Sequence, residues 1–396
     1  MVAMRVLPDV TTGDAICLPK GFVTYAGNAG IKDSSLDLSI VAGEGPCVAA
    51  GVFTQSLFAG PSVTLSRRHL ADGSARALVT VSKNANVATG APGERDAEEL
   101  AELTAKVVGC ARDDVVVCST GVIGRRYPME RIRGHFASLS MPEVADFQAI
   151  ARAIMTTDTR PKLASAPAGP ATVMGVAKGS GMIEPDMATL LAYVFTDAEV
   201  PAPDLDAMWR RAVDATFNCL SIDTDTSTSD SAVVMASGAA GEVEPAQLEG
   251  ALLAVCRSLT VQLAADGEGA TKVLQVQVAG AADAAQAKRV AKTIVSSPLV
   301  KCAVHGADPN WGRVVMAIGK CWQETGISAE SVRVSFGGLE VYPHQLAARD
   351  LDRLAQLMAE STVEIGVRLG DGPGEVTVWG CDLSPEYVHI NAYYTT

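Results

Sequence analysis

The sequence predicts an α/β fold in which helices are layered on antiparallel or mixed sheets. Short apolar or alternating runs that are typical of strands recur along the chain, and apolar residues at helical spacing form several separate stripes. The strands do not alternate regularly with helices, as they would in a parallel sheet built from βαβ units. A hydrophobic content of 48% over 396 residues is enough to form sizeable cores.

The charge balance limits the class of partner. The chain has 45 Asp and Glu residues against 32 Lys and Arg residues. Nucleic acids and anionic membranes bind basic surfaces, so we expect neither of them as a partner and favour a small-molecule substrate. The segment Met1–Phe22 lacks the continuous apolar core of a secretory signal, and the apolar run Met187–Phe195 is too short to span a bilayer. We therefore expect a soluble, cytoplasmic protein.

Cysteine and histidine spacing gives no sign of a metal site. The nine cysteines include no Cys-x-x-Cys pair, and the five histidines share no ligand spacing with one another or with a cysteine pair. The simplest interpretation of the cysteines is that they are buried apolar residues in a reducing compartment. We expect no metal.

Elements of the first half are predicted from apolar runs and caps. Strands are predicted at Val48–Phe53, Ala77–Ser82 and Val115–Cys118. Between the last two of these, Asp96 and Glu99 form a capping box that predicts the start of a helix, and Gly109 is placed to end that helix.

The buried strand Val115–Cys118 leads into Ser119, Thr120 and Gly121. Backbone amides just past a strand end, especially around a glycine, can converge on a small anion. From the residues alone a simple polar turn is an equally good interpretation.

The stretch Lys178–Thr189 is the most informative part of the sequence for function. Gly179, Gly181 and Pro185 allow a tight backbone path that ends at a hydroxyl residue in front of an apolar strand. If the peptide bond between Ala188 and Thr189 were cut, Thr189 would carry both a nucleophilic hydroxyl and a free α-amine, which is a known form of activated nucleophile. On the residues alone, a glycine-rich turn before a buried strand is the simpler interpretation.

The second half contains helical stripes and alternating strands. Helices are predicted over Leu205–Phe217, Leu248–Leu263 and Ala284–Val295, and strands at Leu274–Val278, Val332–Phe336 and Val363–Leu369. The glycines of Asp266–Gly269 suggest a phosphate loop only superficially, because no strand precedes them and no Gly-Lys-Ser/Thr follows. No repeat and no linker long enough to separate independent domains is visible.

Ordered motifs along nearly the whole chain resemble the ornithine acetyltransferase family, whose hallmark is a Lys-Gly-small-Gly-Met segment leading into Met-Ala-Thr. These motifs are Gly21-Phe22, Gly30–Lys32, Phe53-Thr54, Asn84–Asn86, Thr89-Gly90, Ser119–Gly124, Met155–Thr159, Lys178–Thr189, Asp225–Thr228, Asp266–Ala270, Asp308–Arg313 and Tyr387–Thr396. So many matches in the same order are highly specific.

The resemblance implies a self-processing enzyme with a layered fold of helices on sheets. The precursor would cut itself between Ala188 and Thr189 into residues 1–188 and 189–396, and two copies of each chain would form a heterotetramer. Thr189 would be the nucleophile, and Thr120 and Gly121 would form the oxyanion hole. The substrates would be N-acetylornithine and glutamate, and no cofactor would be needed. The residues implied to contact the substrate are Thr156, Lys178, Thr189, Glu268, Asn391 and Thr396.

The sequence departs from the family pattern at a few positions. Lys83 and Thr224 stand where a glycine is common, and Ser229 and Ser231 replace a common Asn and Thr. Such variants resemble the branch of the family found with clavulanic-acid-type biosynthesis. Two other functions stay open from the sequence: a self-processing amidase or aminopeptidase that passes the acyl group to water, and a non-catalytic amino-acid-binding protein with the same fold.

Overall fold

The computed structural model describes residues 7–184, 190–324, 326–344 and 347–393, with the backbone alone for residues 348 and 349. In chain order, its strands are β1 (Thr11–Thr12), β2 (Phe22–Gly27), β3 (Leu38–Phe53), β4 (Ser74–Val81), β5 (Val115–Ser119), β6 (Lys162–Ala168), β7 (Ala171–Lys178), β8 (Leu191–Glu199), β9 (Leu220–Ser221), β10 (Ser231–Glu242), β11 (Val273–Ala281), β12 (Arg333–Phe336), β13 (Leu339–Tyr342), β14 (Thr362–Arg368) and β15 (Gly374–Cys381). Its helices are α1 (Pro61–His69), α2 (Gly90–Val108), α3 (Met129–Phe136), α4 (Phe147–Ala153), α5 (Ala202–Ala215), α6 (Pro245–Ala265), α7 (Ala284–Val295), α8 (Pro298–His305), α9 (Trp311–Gly319), α10 (Ala348–Ala359) and α11 (Pro385–Tyr393).

These elements form two compact units whose chain segments interleave. The first unit comprises the described residues within Met1–Gly179, Pro185–Asn218 and Thr226–Leu259, and the second those within Ser180–Glu184, Cys219–Asp225 and Thr260–Thr396. The chain passes from one unit to the other more than once, so no single linker divides them. This agrees with the lack of a linker in the sequence, and the units do not coincide with residues 1–188 and 189–396, the two chains that the predicted cut would give.

The first unit is built on a nine-stranded mixed sheet with the order β1-β6-β7-β8-β10-β3-β4-β5, in which β2 also pairs with β3. The pairs β8–β10 and β4–β5 are parallel, and the other pairs are antiparallel. The predicted fold class of helices on mixed sheets is therefore confirmed.

Both faces of this sheet are buried, because alternate residues of a strand point to opposite faces. On one face Ile40 and Val79 pack with α2 and α3, and on the other Val41 and Leu78 pack with α4. Each such aliphatic side chain contributes roughly 1.5 to 3 kcal/mol when it is fully buried. The strands near the turn at Thr120 are thus held from both sides.

The second unit is built on a six-stranded sheet with the order β13-β12-β14-β11-β15-β9. In its central strand β11, Leu274, Val276 and Val278 are buried, and Gln275 and Gln277 alternate with them. Helix α7 packs on β11 and β15. The period of two that predicted this strand therefore reflects one face covered by a helix.

Two helices of the second half match their predictions closely. Helix α7 has the predicted bounds, and its start is capped by the Asp283 carboxylate, which accepts a hydrogen bond from the Gln286 amide at 2.7 Å. Helix α6 contains the whole predicted stripe and is long and apolar enough to cross a membrane by length and composition. Its residues Leu248, Leu252 and Leu259 are buried in the fold, as expected for a core helix.

The predicted start of α2 was wrong. The helix begins at Gly90 rather than after Asp96, so the supposed capping box lies inside it. The Asp96 carboxylate instead accepts two hydrogen bonds from the Arg126 guanidinium, at 2.6 and 2.8 Å. The predicted end at Gly109 is confirmed, because this residue adopts the left-handed conformation with φ 76°.

Candidate active site

The turn after β5 is the first part of the site, and its shape requires a glycine. Gly121 has φ 129°, and a Cβ atom on it would lie 2.2 Å from the carbonyl carbon of Lys83. The turn is held against residues 83–85 by bridges from Asn84 to Thr120 and Val122. A side chain at residue 121 would therefore break the contact that shapes the turn.

The backbone amides of this turn differ in their partners. The Thr120 amide donates to the Val81 carbonyl at 3.1 Å. For the Gly121 amide no acceptor occurs within the described part of the chain. A half-buried N–H group without an acceptor in a fixed turn is a ready donor for a developing oxyanion.

Lys178, the last residue of β7, is buried and lies beside this turn. Its ammonium donates to the Thr120 hydroxyl oxygen at 3.2 Å. Because that oxygen accepts a hydrogen bond, the Thr120 hydroxyl proton is left to point at another acceptor. The structure thus brings together three of the predicted site residues, Thr120, Gly121 and Lys178.

Asp158 connects Thr156, Lys162 and Gly179 through hydrogen bonds, and it was not among the site residues predicted from the sequence. Its carboxylate accepts hydrogen bonds from the Lys162 ammonium at 2.7 Å and the Gly179 amide at 2.6 Å. Its other oxygen accepts from the amide of Thr156 at 3.1 Å, so Asp158 positions the backbone of a predicted substrate contact. A lone Asp inside a hydroxyl-rich segment carries no signal of such a role.

The charge of Asp158 depends on two lysines. Burial opposes its ionisation, but the positive charges of Lys178 and Lys162 outweigh burial, and the hydrogen bonds from Lys162 and Gly179 add to their effect. As a result, the pKa of the Asp158 carboxyl lies below its ordinary value. The negative charge of this carboxylate therefore offsets the positive charges of the nearby lysines.

In the second unit, Glu268 and Asn391 contact each other, and both were predicted to contact the substrate. The Asn391 side-chain amide donates to the Glu268 carboxylate at 2.8 Å, and the Glu268 amide donates to the Ser180 carbonyl at 2.7 Å. A Cβ atom on Gly181 would lie 2.5 Å from the Glu268 carboxylate oxygen. The second glycine of the Lys178–Thr189 stretch is therefore required because this carboxylate packs on its backbone.

The residues that lead into the predicted cleavage segment are fixed by a neighbouring loop. The Asp223 carboxylate accepts hydrogen bonds from the amides of Met182 and Ile183, at 2.6 and 2.7 Å. The Glu184 carboxylate accepts from the hydroxyls of Ser221 and Ser296, at 2.5 and 2.9 Å. This anchoring holds one side of the segment in place.

Burial and nearby negative charges raise the pKa of two groups in the second unit, Asp225 and Tyr387. Burial and the nearby charge of Asp223 raise the pKa of Asp225. Burial, followed by the charges of Asp223, Glu268 and Asp225, raises the pKa of the Tyr387 hydroxyl. Tyr387 is therefore a neutral hydrogen-bond donor at neutral pH.

Three predicted site residues, Ala188, Thr189 and Thr396, lie outside the described residues. On the far side of the predicted cut, the Leu190 carbonyl accepts from the Ser231 amide at 3.0 Å, and β8 begins at Leu191. No cluster of three or more His, Cys, Asp or Glu side chains suited to a metal ion occurs among the residues that the structure describes.

Comparison with known proteins finds relatives over nearly the whole chain. The model of the ArgJ family matches residues 24–396. An arginine biosynthesis bifunctional protein of Nostoc sp. is 53% identical over 379 residues, covering 96% of this chain and 98% of that protein. A glutamate N-acetyltransferase of Streptomyces clavuligerus is 50% identical over 385 residues, covering 96% of this chain and 98% of that protein.

Solved structures also match parts of the chain. The arginine biosynthesis bifunctional protein of Bacillus halodurans matches with 40% identity and a TM-score of 0.49, covering 52% of this chain and 100% of that one. The ornithine acetyltransferase of Mycobacterium tuberculosis complexed with ornithine matches with 34% identity and a TM-score of 0.42, covering 46% of this chain and 100% of that one.

Proposed function

Because the chain belongs to the ArgJ family, we propose that it moves an acetyl group from N-acetylornithine to glutamate through a covalent intermediate on Thr189. The family predicted from the motifs is confirmed, and with it an acyltransferase activity. The relative from Streptomyces clavuligerus supports the branch predicted from the departures in the sequence. The covalent mechanism and the residue roles are our proposal.

One observation supports the mechanism most directly: among the described residues the Gly121 amide has no acceptor, and it lies beside a Thr120 hydroxyl that Lys178 orients. Two such donors in a fixed turn suit the oxyanion of an acyl-transfer reaction. They would stabilise the negative charge that develops when the acetyl carbonyl is attacked.

The reaction would run in two half-reactions. The Thr189 hydroxyl oxygen attacks the acetyl carbon of N-acetylornithine while its proton passes to the Thr189 α-amine, whose ordinary pKa is about 7.7 to 8.0. The oxyanion then collapses, the carbon–nitrogen bond breaks, and ornithine leaves with that proton. The amine of glutamate next attacks the acetyl ester, and the Thr189 oxygen is released with a proton.

The free α-amine of Thr189 requires the cut after Ala188, which we propose the chain makes itself. That cleavage also passes through an oxyanion, on the Ala188 carbonyl, so the same donors would serve both reactions. We propose that Thr156, Lys178, Glu268, Asn391 and Thr396 hold the charged and polar groups of the amino-acid substrates. We further propose a cytoplasmic heterotetramer of two copies of each chain.

The test combines intact mass with turnover. We expect two fragments split before Thr189, and with N-acetylornithine alone an acetyl increment on the fragment that begins at Thr189. With both substrates we expect N-acetylglutamate and ping-pong kinetics. Release of acetate without a need for glutamate would instead support an amidase, and an intact, inactive chain would support a binding protein.

A further inference from the structure

A cavity of about 460 Å³ lies in the first unit and is formed by a bulge in β3. Strands β3 and β4 pair at Ala42 with Ala77 and again at Cys47 with Ala75, so four residues of β3, 43–46, stand opposite Arg76 alone. Extra residues in one strand open the ladder at that point. Arg76 and the bulge residue Glu44 both line the resulting space.

Arg76 carries a charge that the described part of the chain does not pair. Its Nη1 atom is buried and has no hydrogen-bond partner there. A buried donor without a partner costs roughly 1 to 3 kcal/mol, and more when it is charged. Arg76 lines the cavity, and its planar guanidinium is suited to bind a carboxylate because it forms paired hydrogen bonds with both oxygens.

The nearby thiols do not neutralise this cation. Burial raises the pKa of Cys47 to about 11, against the opposing charge of Arg76. Burial and the charge of Asp114 raise the pKa of Cys110 to about 11, again against Arg76. Both thiols are therefore neutral at pH 7.

The other charged side chains that line the cavity indicate which kind of ligand it can bind. The carboxylates of Glu44 and Asp114 line the same cavity. Two carboxylates repel a dianion such as phosphate and attract an ammonium group. We propose that this cavity binds a free α-amino acid, with its carboxylate on Arg76 and its ammonium group toward Glu44 and Asp114. The volume lies within the ordinary range of small-molecule sites.

The cavity is separate from the turn at Thr120. Strands β4 and β5 pair in parallel from Ala77 with Val115 to Val81 with Ser119. Arg76 and Asp114 precede this paired stretch, and Thr120 follows it. At about 3.3 Å per residue the two ends are more than about 13 Å apart, so the ligand would be an effector and not a reactant. This inference does not depend on the proposed reaction.

The test is isothermal titration of the full-length protein with L-glutamate, L-ornithine and L-arginine, with inorganic phosphate and acetate as comparison ligands. We expect at least one amino acid to bind the wild type at this site. In Arg76→Met, that amino acid should bind at one site fewer per chain, or its affinity for this site should be at least about 30-fold lower. Arg68→Met is the matched control, because Arg68 is exposed and pairs with Glu98. Unchanged binding in Arg76→Met would overturn the proposal, as would phosphate binding more tightly than every amino acid.

Two further measurements keep the test independent of variant folding. Without ligand, Arg76→Met should unfold at the same or a higher temperature than the wild type, because it removes an unpaired buried donor. In the wild-type protein, the amino acid should slow alkylation of Cys110 and leave the exposed Cys17 and Cys302 unaffected. Equal alkylation of Cys110 with and without saturating amino acid would contradict the site.

Discussion

Thr120 is the residue whose replacement tests the proposed oxyanion hole most directly. Thr120→Ala removes a hydroxyl that would stabilise charge mainly in the transition state, so kcat should fall by about 10² to 10³ while substrate binding changes little. Cleavage before Thr189 should slow as well, because it passes through the same kind of oxyanion. Both rates are measured on one preparation, with turnover normalised to the cleaved fraction.

The matched variant is Thr120→Ser, which keeps the hydroxyl and should retain most of both rates. Thr64→Ala is a control for the loss of a threonine hydroxyl elsewhere, since the Thr64 hydroxyl bonds only within the exposed start of α1. Wild-type kcat in the cleaved fraction of Thr120→Ala would mean that Thr120 only closes its turn.

Asp158 holds a buried ion pair whose loss should be costly. The side chains of Asp158 and Lys162 are 0% and 1% exposed, so Asp158→Asn removes a buried negative charge that contacts the Lys162 ammonium and should destabilise the fold by about 3 to 5 kcal/mol. Asp206→Asn is the matched control, because its pair with Arg210 has the same i,i+4 spacing but is 43% and 54% exposed. Breaking that pair should cost at most about 1 kcal/mol. Urea unfolding measures both, and equal losses would contradict this account.

The same carboxyl predicts how stability depends on pH. The pKa of Asp158 is lower in the folded chain than its ordinary value of about 3.9, so its ionised form stabilises the fold at neutral pH. That contribution is lost as the pH falls below about 4 and through the folded pKa. Unfolding midpoints from pH 7 to pH 3 should therefore fall less steeply for Asp158→Asn than for the wild type. Parallel curves would show that Asp158 does not titrate as expected.

At the residue level, the sequence could identify groups that the family motifs contain. Thr120, Gly121 and Lys178 were predicted and lie together. Asp158 was missed because its role depends on strands β6 and β7 bringing Lys162 and Gly179 to one carboxylate. Lys162 is only four residues away, but Gly179 is 21 residues away, and sequence spacing does not reveal that one carboxylate binds both.

Two turns contain residues with positive φ where glycine is the favoured choice. Thr224 has φ 70°, which is unusual for a β-branched residue, and Lys83 also has φ 70°. Replacing Thr224 by glycine relieves this backbone strain, and the free energy gained exceeds the entropic cost of ordering a glycine on folding. Thr224→Gly should therefore raise the free energy of unfolding by about 0.5 to 1 kcal/mol. The urea midpoint of unfolding checks this gain.

Lys83→Gly provides the internal comparison. The Lys83 ammonium bonds the Asp33 carboxylate at 2.8 Å, so replacing Lys83 loses an ion pair while it relieves the strain. We expect the two effects nearly to cancel. A loss of stability in Thr224→Gly would show that the Thr224 side chain makes a contact worth more than its backbone strain.

At the element level, long periodic patterns predicted their structures, whereas the local capping signal at Asp96 and Glu99 did not. The apolar stripe that predicted α6 and the alternation that predicted β11 are confirmed. The start of α2 was misplaced because Asp96 and Glu99 look like a cap, whereas each binds an arginine on another part of the chain. Strand β3 begins at Leu38, ten residues before the predicted Val48, because the bulge at residues 43–46 interrupts its apolar pattern.

In the molecule as a whole, the predicted cut would divide the sheet of the first unit between two chains. Strands β8 and β10 would belong to residues 189–396, and the other strands of this sheet to residues 1–188. In the sheet order, β8 and β10 stand together between β7 and β3. The second chain would therefore supply two interior strands, with one seam at β7–β8 and another at β10–β3. No sequence pattern predicts this arrangement, because it depends on which distant strands pair.

A cut between Ala188 and Thr189 should leave the two fragments bound to each other along both seams. Each seam is an antiparallel ladder of six paired positions, and the residues along both seams are almost all buried. Separating the chains would expose interior strand edges, so the two fragments should co-elute in native gel filtration and separate only under denaturing conditions. Residues 1–188 expressed alone should be insoluble or unfolded, whereas co-expression with residues 189–396 should restore a folded complex. A soluble, folded 1–188 fragment would contradict this role for β8 and β10.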